Sequence, residues 1–447
     1  MKHYTFSNGL RVIYEQPKNT LPLTSIYVYC DVGSIHEPDS MKGAAHFIEH
    51  CVFKGTKKLK KSIDLFKAYD RTGANYNAFT EKRYTCYTIK CIDAYTGHCT
   101  ETLADMLLHS RFPTAEILAE EQVVVEENIR IADSPEDDLA NLTNSVLYSG
   151  TEFAKPIDTL DYHKSGRTRP KRFDRSSVVE MYNTYYRPDR MVFSIVSRIP
   201  FSVIVKMLKK TDFVLGDGHS IVPIQQILMK PIEHTSTTQY KLMEKRGFST
   251  IHLNVSFRTC SQYSPDKHIL SVVRSILSGT MGSRLFMVLR EKNGLTYTSS
   301  ATTEYYEPGG DFTIYTEVDR RKILKNGSKP GVLPLIMGII GDLVKNGVSE
   351  EELTRIKDNL QAKRAMALED SNVQTSHNGR DWLLYGDPDK IVPYADMYST
   401  YTAPITRKQI LEVVRKYFVR ANMVVCMVGD GLPTLESVKA VCDKGVF

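Results

Sequence analysis

The chain has 447 residues, of which 42% are hydrophobic and 25% are charged. This composition is that of a globular protein and excludes a disordered or collagen-like chain. The length favours more than one domain, because single hydrophobic cores stop growing at roughly 250–300 residues. The formal net charge of +6 is modest for this length, so charge alone does not indicate a nucleic-acid partner.

Strands and helices are predicted in an irregular order along the chain. A hairpin comes first, because Asn8-Gly9 stands between two strand-like runs. Runs rich in β-branched and aromatic residues predict strands at Ser25–Val32, Tyr84–Ile92, Met191–Val196, His252–Phe257 and Asp311–Val318. Helical periodicity predicts helices at Ala44–Phe53, Cys99–Ser110, Ala115–Ile131, Ile269–Leu277 and Ser349–Leu368. This mixture predicts an α+β fold in which helices pack mainly on one face of each sheet.

Two segments of the first half are echoed in the second half. The run that begins at Met191 (Met-Val-Phe-Ser) returns at Met423 (Met-Val-Val-Cys), 232 residues later. The run that begins at Thr24 (Thr-Ser-Ile-Tyr) resembles the run at Thr250 (Thr-Ile-His-Leu), at an offset of 226. Two matches at nearly equal offsets indicate an internal duplication.

The duplication predicts two homologous half-domains. We expect a first domain over residues 1–210 and a second over 240–447. A linker is expected over residues 211–239, where Gly, Pro, Ser and Thr cluster and helical periodicity lapses.

Cysteine usage and the lack of targeting signals bear on the compartment. The eight cysteines form no CxxC pair and several lie in apolar runs, so reduced core thiols are expected. The N-terminal segment has neither an apolar signal core nor a transit pattern. The longest apolar stretch, Val332–Gly341, is too short to cross a membrane. These features predict a cytoplasmic protein without a membrane partner.

The motif that carries chemistry is His46-Phe-Ile-Glu49-His50. On a helix, two histidines four residues apart project from one face and can share a tetrahedral metal ion. Glu49 lies next to this face, where its carboxylate can act beside the metal without being a ligand. The order of residues is the reverse of the HExxH motif, but the same three groups converge.

A hydrolytic zinc site needs three protein ligands and one open position. An acidic helix offers the third ligand in Glu120, Glu126 or Glu127. Glu120 and Glu127 are seven residues apart and share a face, so helical geometry does not choose among the three.

The motif and its surroundings, Gly43-Ala-Ala-His46-Phe-Ile-Glu49-His50-Cys-Val-Phe-Lys-Gly-Thr56, resemble the signature of the pitrilysin, insulysin and mitochondrial processing peptidase family. In that family the third ligand is a glutamate about 77 residues after the second histidine, a spacing that selects Glu127 here. The resemblance also implies that Glu120 acts in the outer shell of one zinc ion per chain.

Further landmarks extend the resemblance over almost the whole chain. Asn77-Ala78 opens a strand that the resemblance makes a substrate-binding edge strand, although an ordinary sheet strand is the alternative. Arg290 and Tyr297 resemble the family residues that reach the catalytic chamber and support the oxyanion. The alternative for these two is a helix-ending arginine and a strand tyrosine.

The second half and the basic segments carry no recognised site. At the offset of 226, His46 and His50 fall opposite the apolar Val272 and Ile276, so no second metal site is expected. The lysine-rich run 54–61 is expected to be a solvated surface, and the basic run 167–172 matches no family landmark.

These expectations describe a zinc metalloendopeptidase that cleaves extended peptides or unfolded protein segments in an enclosed chamber, with Glu49 as the general base. The rival interpretation is a non-catalytic structural or processing-complex subunit that keeps the fold. Half-length members of the family pair to enclose substrate, so a homodimer is expected, or a heterodimer with a related chain. A nucleic-acid partner is not expected.

Overall fold

The computed structural model describes residues 1–19, 21–157, 173–215, 232 and 236–444. The strands are β1 (Lys2–Thr5), β2 (Arg11–Glu15), β3 (Leu23–Cys30), β4 (Asn75–Thr80), β5 (Thr85–Ile92), β6 (Met191–Val196), β7 (Gln239–Glu244), β8 (Thr250–Thr259), β9 (Ser299–Tyr305), β10 (Gly310–Asp319), β11 (Lys325–Asn326), β12 (Lys329–Pro330) and β13 (Met423–Gly429).

The α-helices are α1 (Ala44–Cys51), α2 (Ser62–Asp70), α3 (Thr96–Leu108), α4 (Thr114–Ala132), α5 (Pro135–Leu147), α6 (Arg175–Tyr185), α7 (Phe201–Leu208), α8 (Asp212–Leu215), α9 (Asp266–Ser278), α10 (Val332–Asn346), α11 (Glu350–Ala367), α12 (Ser371–Tyr385), α13 (Arg407–Tyr417) and α14 (Leu435–Lys444). Every predicted strand and helix is present, and β6 has the predicted bounds. The largest shift of a helix start or end is three residues. The predicted hairpin forms between β1 and β2, where Gly9 has a φ of 87° that suits glycine.

Compact unit 1 comprises Met1–Arg130, Pro156–Ile227 and Arg364–Met397. Its six-stranded sheet has the order β1-β2-β6-β3-β5-β4, in which β2 and β6 are parallel and the other neighbours are antiparallel. The main apolar core lies between one face of the sheet and helices that include α1, α3 and α6. The opposite face is covered by α12, which is contributed by the second half of the sequence.

The contact between α12 and its sheet is close because of a glycine. A Cβ on Gly379 would lie 2.6 Å from Cε2 of Tyr29 and 2.7 Å from Cβ of Ser194. Two hydrogen bonds fix the same contact: the Tyr29 hydroxyl donates to the Ser376 carbonyl oxygen at 3.0 Å, and the Ser194 hydroxyl donates to the Thr375 carbonyl oxygen at 2.7 Å. The position therefore excludes a side chain.

Compact unit 2 comprises Ile131–Lys155, Leu228–Lys363 and Tyr398–Phe447. Its sheet has the order β7-β13-β8-β10-β9, with β7 and β13 parallel and the other neighbours antiparallel. Helices that include α9, α10 and α13 pack on one face. The other face receives α5, which comes from the first half of the sequence.

The two compact units do not coincide with the two halves of the sequence, because α5 and α12 each pack on the sheet of the other half. A single cut between residues 210 and 240 leaves α5 with the first half and α12 with the second, whereas the contacts group them the other way. Most of the predicted linker 211–239 lies outside the described residues, as does the basic run 167–172.

The predicted reduced state of the cysteines agrees with the structure, in which all eight are buried and unpaired. In the described ranges no single helix combines the length and apolar composition needed to cross a membrane. One pair, α10 with α11, passes that test only when both are taken together across a bend of 106°.

Candidate metal centre

The centre is built on α1, whose start is fixed by a buried carboxylate. Glu37 is only 4% exposed and accepts hydrogen bonds from the backbone N–H groups of Gly43 and Ala45, both at 2.8 Å. Gly43 adopts a φ of 84° as the chain enters the helix. The carboxylate satisfies N–H groups that the helix cannot pair internally and so holds the motif helix in place.

The two motif histidines project from α1 to one point. Their Nε2 atoms lie 3.1 Å apart, and the rings stand edge to face with centroids at 4.6 Å. Both side chains are largely buried, at 14% exposure for His46 and 21% for His50. The two histidines, four residues apart, therefore project from one face of the helix, as the sequence predicted.

The helix α4 brings a carboxylate to the same point. Oε2 of Glu127 lies 4.0 Å from Nε2 of His46 and 3.6 Å from Nε2 of His50. A tetrahedral zinc ion, about 2.0–2.2 Å from each ligand, needs ligand atoms about 3.3–3.5 Å apart. The three observed distances between ligand atoms, 3.1, 3.6 and 4.0 Å, bracket this range. Two imidazoles with one carboxylate also form a known ligand set of hydrolytic zinc sites. The residues present therefore fit the ion. Among the described residues, these three alone form such a group.

The other two candidate glutamates have different surroundings. Glu126 is exposed and outside the group, whereas Glu120 is 4% exposed and its Oε1 lies 2.8 Å from Nδ1 of His50. A hydrogen bond from Nδ1–H to this carboxylate leaves Nε2 of His50 free to bind a metal ion. Glu120 and Glu127 thus contact the same histidine from one helix face.

A lysine joins this arrangement. Lys54 forms an ion pair with Oε2 of Glu120, opposite the oxygen that contacts His50. Burial acts to raise the pKa of Glu120, but hydrogen bonds from His50 and Lys54 outweigh it and the pKa lies below the ordinary carboxyl value. Lys54 was expected to be part of a solvated run. Its position four residues after His50, in a 3-10 turn that extends α1, is the signal that could have placed it at the site.

Glu49 faces the centre without belonging to the ligand group. It is 8% exposed, and its Oε2 accepts a hydrogen bond from the Thr80 hydroxyl at 2.6 Å. Burial raises the pKa of Glu49 above the ordinary carboxyl value, although Thr80 and the two histidines act in the opposite direction. Thr80 was not among the site residues predicted from the sequence.

A cleft of about 500 Å³ opens onto these groups. The strand β4 forms one wall, including Asn77 and Ala78, and Phe53 and Ile157 add apolar surface. β4 is the last strand of its sheet and pairs only with β5 in the described part of the chain. The predicted edge position of Asn77 and Ala78 is therefore present beside the metal ligands.

Arg290 and Tyr297 belong to unit 2 and contact each other. Nη1 of Arg290 donates to the Tyr297 carbonyl oxygen at 3.3 Å, and the guanidinium carbon lies 4.7 Å from the centroid of the tyrosine ring. The Tyr297 side chain is 83% exposed. The catalytic role of this pair stays a prediction.

Comparison with known proteins gives consistent matches over both halves. The family model described as Insulinase (Peptidase family M16) matches residues 11–159, and the one described as Peptidase M16 inactive domain matches residues 172–360. The uncharacterized zinc protease YmxG of Bacillus subtilis (strain 168) is 31% identical over 386 residues, which cover 86% of this chain and 89% of that protein.

Two solved structures share the fold. A protease from Helicobacter pylori matches with a TM-score of 0.84 at 21% identity, covering 96% of this chain and 98% of that chain. A peptidase M16 inactive domain from Pseudomonas fluorescens matches with a TM-score of 0.79 at 16% identity, covering 97% of this chain and 98% of that chain.

Fold and site together define an α+β chain with two similar sheets and, among its described residues, one His-His-Glu group on an inverted motif. The chain belongs to peptidase family M16, as a half-length member, and the resemblance to pitrilysin, insulysin and mitochondrial processing peptidase is confirmed. Its curated relatives bear the name zinc protease.

Proposed function

We propose that this chain is a zinc metalloendopeptidase that cleaves extended peptides or unfolded protein segments within an enclosed chamber. The observation that carries the proposal is the convergence of His46, His50 and Glu127 at metal-ligand spacing, with Glu49 beside them and outside the ligand group. The curated relatives are named uncharacterized zinc proteases, which supports the broader part of the proposal, a zinc-dependent protease.

Each residue of the site has a separate role in this proposal. His46, His50 and Glu127 hold the ion, and Glu120 orients His50 through Nδ1. A zinc ion held in this way supplies Lewis acidity toward a water molecule and a substrate carbonyl. Glu49 takes the proton of the attacking water and passes it to the leaving amine. Burial supports this role, because it raises the pKa of Glu49 and so makes the carboxylate a stronger base.

Substrate binding is assigned to the edge of β4 that no other strand in the described part of the chain pairs with. An extended peptide adds to an exposed edge strand through main-chain hydrogen bonds, which depend little on sequence. Asn77 and Ala78 lie on that strand and line the cleft that contains the metal ligands. This mode of binding favours unfolded segments, because a folded substrate has few free backbone groups.

Two further parts of the proposal rest on the family resemblance. Arg290 and Tyr297 position the substrate and stabilise the oxyanion that forms on the attacked carbonyl. The working assembly is a homodimer, in which the Arg290 and Tyr297 of one chain serve the metal centre of the other. A heterodimer with a related chain is the alternative assembly.

The test is a metal analysis paired with cleavage of a peptide library. Wild-type protein is expected to hold one zinc ion per chain and to cleave peptides. Glu49→Gln is expected to keep the ion and to lose roughly 10²- to 10⁴-fold in rate, because the ligands remain and the base is removed. A zinc-replete Glu49→Gln protein with nearly wild-type turnover contradicts the role of Glu49.

The rival function is a non-catalytic subunit that keeps the peptidase fold. The match to an inactive-domain model is its specific support, but that match begins at residue 172 and leaves out the metal motif. Zinc-loaded wild-type protein that cleaves no member of the library, alone or with a related partner chain, would favour this rival.

A further inference from the structure

The carboxylate of Glu49 is held by one neighbour. Thr80 donates its hydroxyl to Oε2 at 2.6 Å, and within the described residues no other hydrogen bond to the Glu49 carboxylate is formed. Oε1 is therefore the oxygen left for a water molecule or a leaving group. A glutamate side chain has three rotatable bonds, so a contact that fixes one oxygen also fixes the direction of the other.

The strand alternation of β4 explains why Thr80 reaches α1. Successive side chains point to opposite faces, so Tyr76, Ala78 and Thr80 share a face. Tyr76 and Ala78 pack against the core that contains α1, whereas Phe79 packs against the opposite core. Thr80 thus lies on the face that looks toward Glu49.

The Thr80 hydroxyl has a second, more distant neighbour on the next strand. Thr85 is the β5 partner of Thr80, and the two hydroxyl oxygens are 3.4 Å apart. Thr85 donates its own proton to the Val32 carbonyl oxygen at 2.8 Å. Because that proton is engaged, Thr80 receives no hydrogen bond from Thr85, and its own proton goes to the Glu49 carboxylate, which is the closer acceptor at 2.6 Å.

We propose that Thr80 is a positioning residue for the general base, through which the substrate-binding edge strand sets the direction of the Glu49 carboxylate. This inference rests on the proposed function. Thr80 is the last residue of β4, and residues 77 and 78 of the same strand line the cleft. The strand proposed to bind the substrate therefore also carries the hydroxyl that orients the Glu49 carboxylate. A peptide paired with β4 is in this way aligned with Oε1 of Glu49.

The experiment compares Thr80→Val and Thr80→Ser with wild type. Valine keeps the shape of threonine and removes the hydroxyl, whereas serine keeps the hydroxyl. Thr100→Val is the matched control, because Thr100 is fully buried in the same unit, donates only to the carbonyl oxygen of Thr96, and does not line the cleft. Each protein is measured for kcat, KM, zinc dissociation constant and melting temperature.

Thr80→Val is expected to lower kcat roughly 10- to 100-fold, the scale of a misplaced catalytic group. KM and the zinc dissociation constant are expected to stay at wild-type values, and Thr80→Ser is expected to restore most of kcat. Unchanged kcat in zinc-loaded Thr80→Val would overturn the inference. Failure of Thr80→Ser to restore kcat would overturn it as well, because the hydroxyl would then not be the active feature.

A crystal structure of zinc-loaded Thr80→Val provides a readout that does not depend on turnover. A Glu49 side chain in a different rotamer supports the inference, and one that keeps its rotamer overturns it. Zinc-loaded wild-type protein without turnover would instead overturn the proposed function, and this inference with it. Active wild-type protein with an equally active Thr80→Val overturns the inference alone.

Discussion

The sheets of the two units share an order of five strands, but within the described residues only unit 1 has a group of side chains that could hold a metal ion. In each sheet, a strand paired in parallel (β2 or β7) lies beside the strand that starts at Met191 or Met423, and three antiparallel neighbours follow, ending at β4 or β9. The sheet of unit 1 has one further strand, β1, beside β2. Met191 pairs with Cys30 and Met423 pairs with Phe257, which sets the offset between β3 and β8 at 227 rather than the 226 read from the sequence. A shift of one residue matters in a strand because it reverses the face of every side chain.

At this offset α1 corresponds to residues 271–278, the last eight of α9. His46, Glu49 and His50 then correspond to Val273, Ile276 and Leu277, all of which are fully buried. The same helix position serves as a core element in unit 2 and as a ligand platform in unit 1. The same helix position of this fold therefore accommodates either apolar packing or three polar groups, and the function proposed here depends on the polar groups.

The largest effect is expected when α1 is given the residues of α9 at the two histidine positions. A His46→Val/His50→Leu double variant should lose zinc and all zinc-dependent turnover, because it removes two of three ligands. The protein should stay folded, since α9 shows that apolar residues suit this position. Zinc content and circular dichroism measure the two expectations, and retention of stoichiometric zinc contradicts the ligand assignment.

Mixing two inactive variants tests whether Arg290 of one chain serves the metal centre of the other. Glu49→Gln and Arg290→Ala should each be nearly inactive alone. In a mixed dimer the Arg290→Ala chain supplies an intact base and its partner supplies an intact arginine, so activity should return after subunit exchange. If mixing restores no activity although mixed dimers form, Arg290 does not act across the dimer. A monomer that cleaves peptides at micromolar concentration contradicts the dimer itself.

Three of the glutamates of α4, Glu120, Glu126 and Glu127, test which carboxylate is the metal ligand. Glu127→Gln should weaken zinc binding most, because it changes a direct ligand. Glu120→Gln should weaken zinc affinity roughly 10- to 100-fold through its hydrogen bond to His50. Glu126→Gln is the control, since this residue is exposed and should have almost no effect. Titration with a zinc chelator gives the order, and a metal-depleting Glu126→Gln would refute it.

The smallest expected effect concerns the helix that comes from the other half of the sequence. Gly379→Ala should destabilise unit 1 by about 1–3 kcal/mol, because a Cβ would overlap Tyr29 and Ser194. Gly338→Ala, at an exposed position of α10 with open space around it, should instead stabilise by about 0.5–1 kcal/mol. Denaturant unfolding measures both, and equal effects would contradict the close packing of α12.

The features that depend on local spacing along the chain could be predicted from the sequence. The four-residue separation of His46 and His50 places both on one helix face, and the run rich in β-branched and aromatic residues gave the bounds of β6. Glu127 was different, because helical geometry left it equal to Glu120 and only the resemblance selected it. The structure separates the two through tertiary contacts: one approaches both Nε2 atoms and the other contacts Nδ1.

The features that were missed depend on contacts distant in sequence. Thr80 reaches Glu49 only because β4 ends beside α1, which no periodicity in either segment indicates. The exchange of α5 and α12 was also missed, since an amphipathic pattern shows that a helix has a buried face and not which sheet it covers. The one-residue error in the repeat has the same origin, because alternating apolar strands match almost equally well in neighbouring registers.

Anomalous diffraction at the zinc edge, from crystals of the zinc-loaded protein, tests the central claim most directly. One peak per chain is predicted, about 2.0–2.2 Å from Nε2 of His46, Nε2 of His50 and a carboxylate oxygen of Glu127, with no peak in unit 2. A peak coordinated by Glu49 or Glu120 in place of Glu127, or one bound to residues of unit 2, would contradict the account.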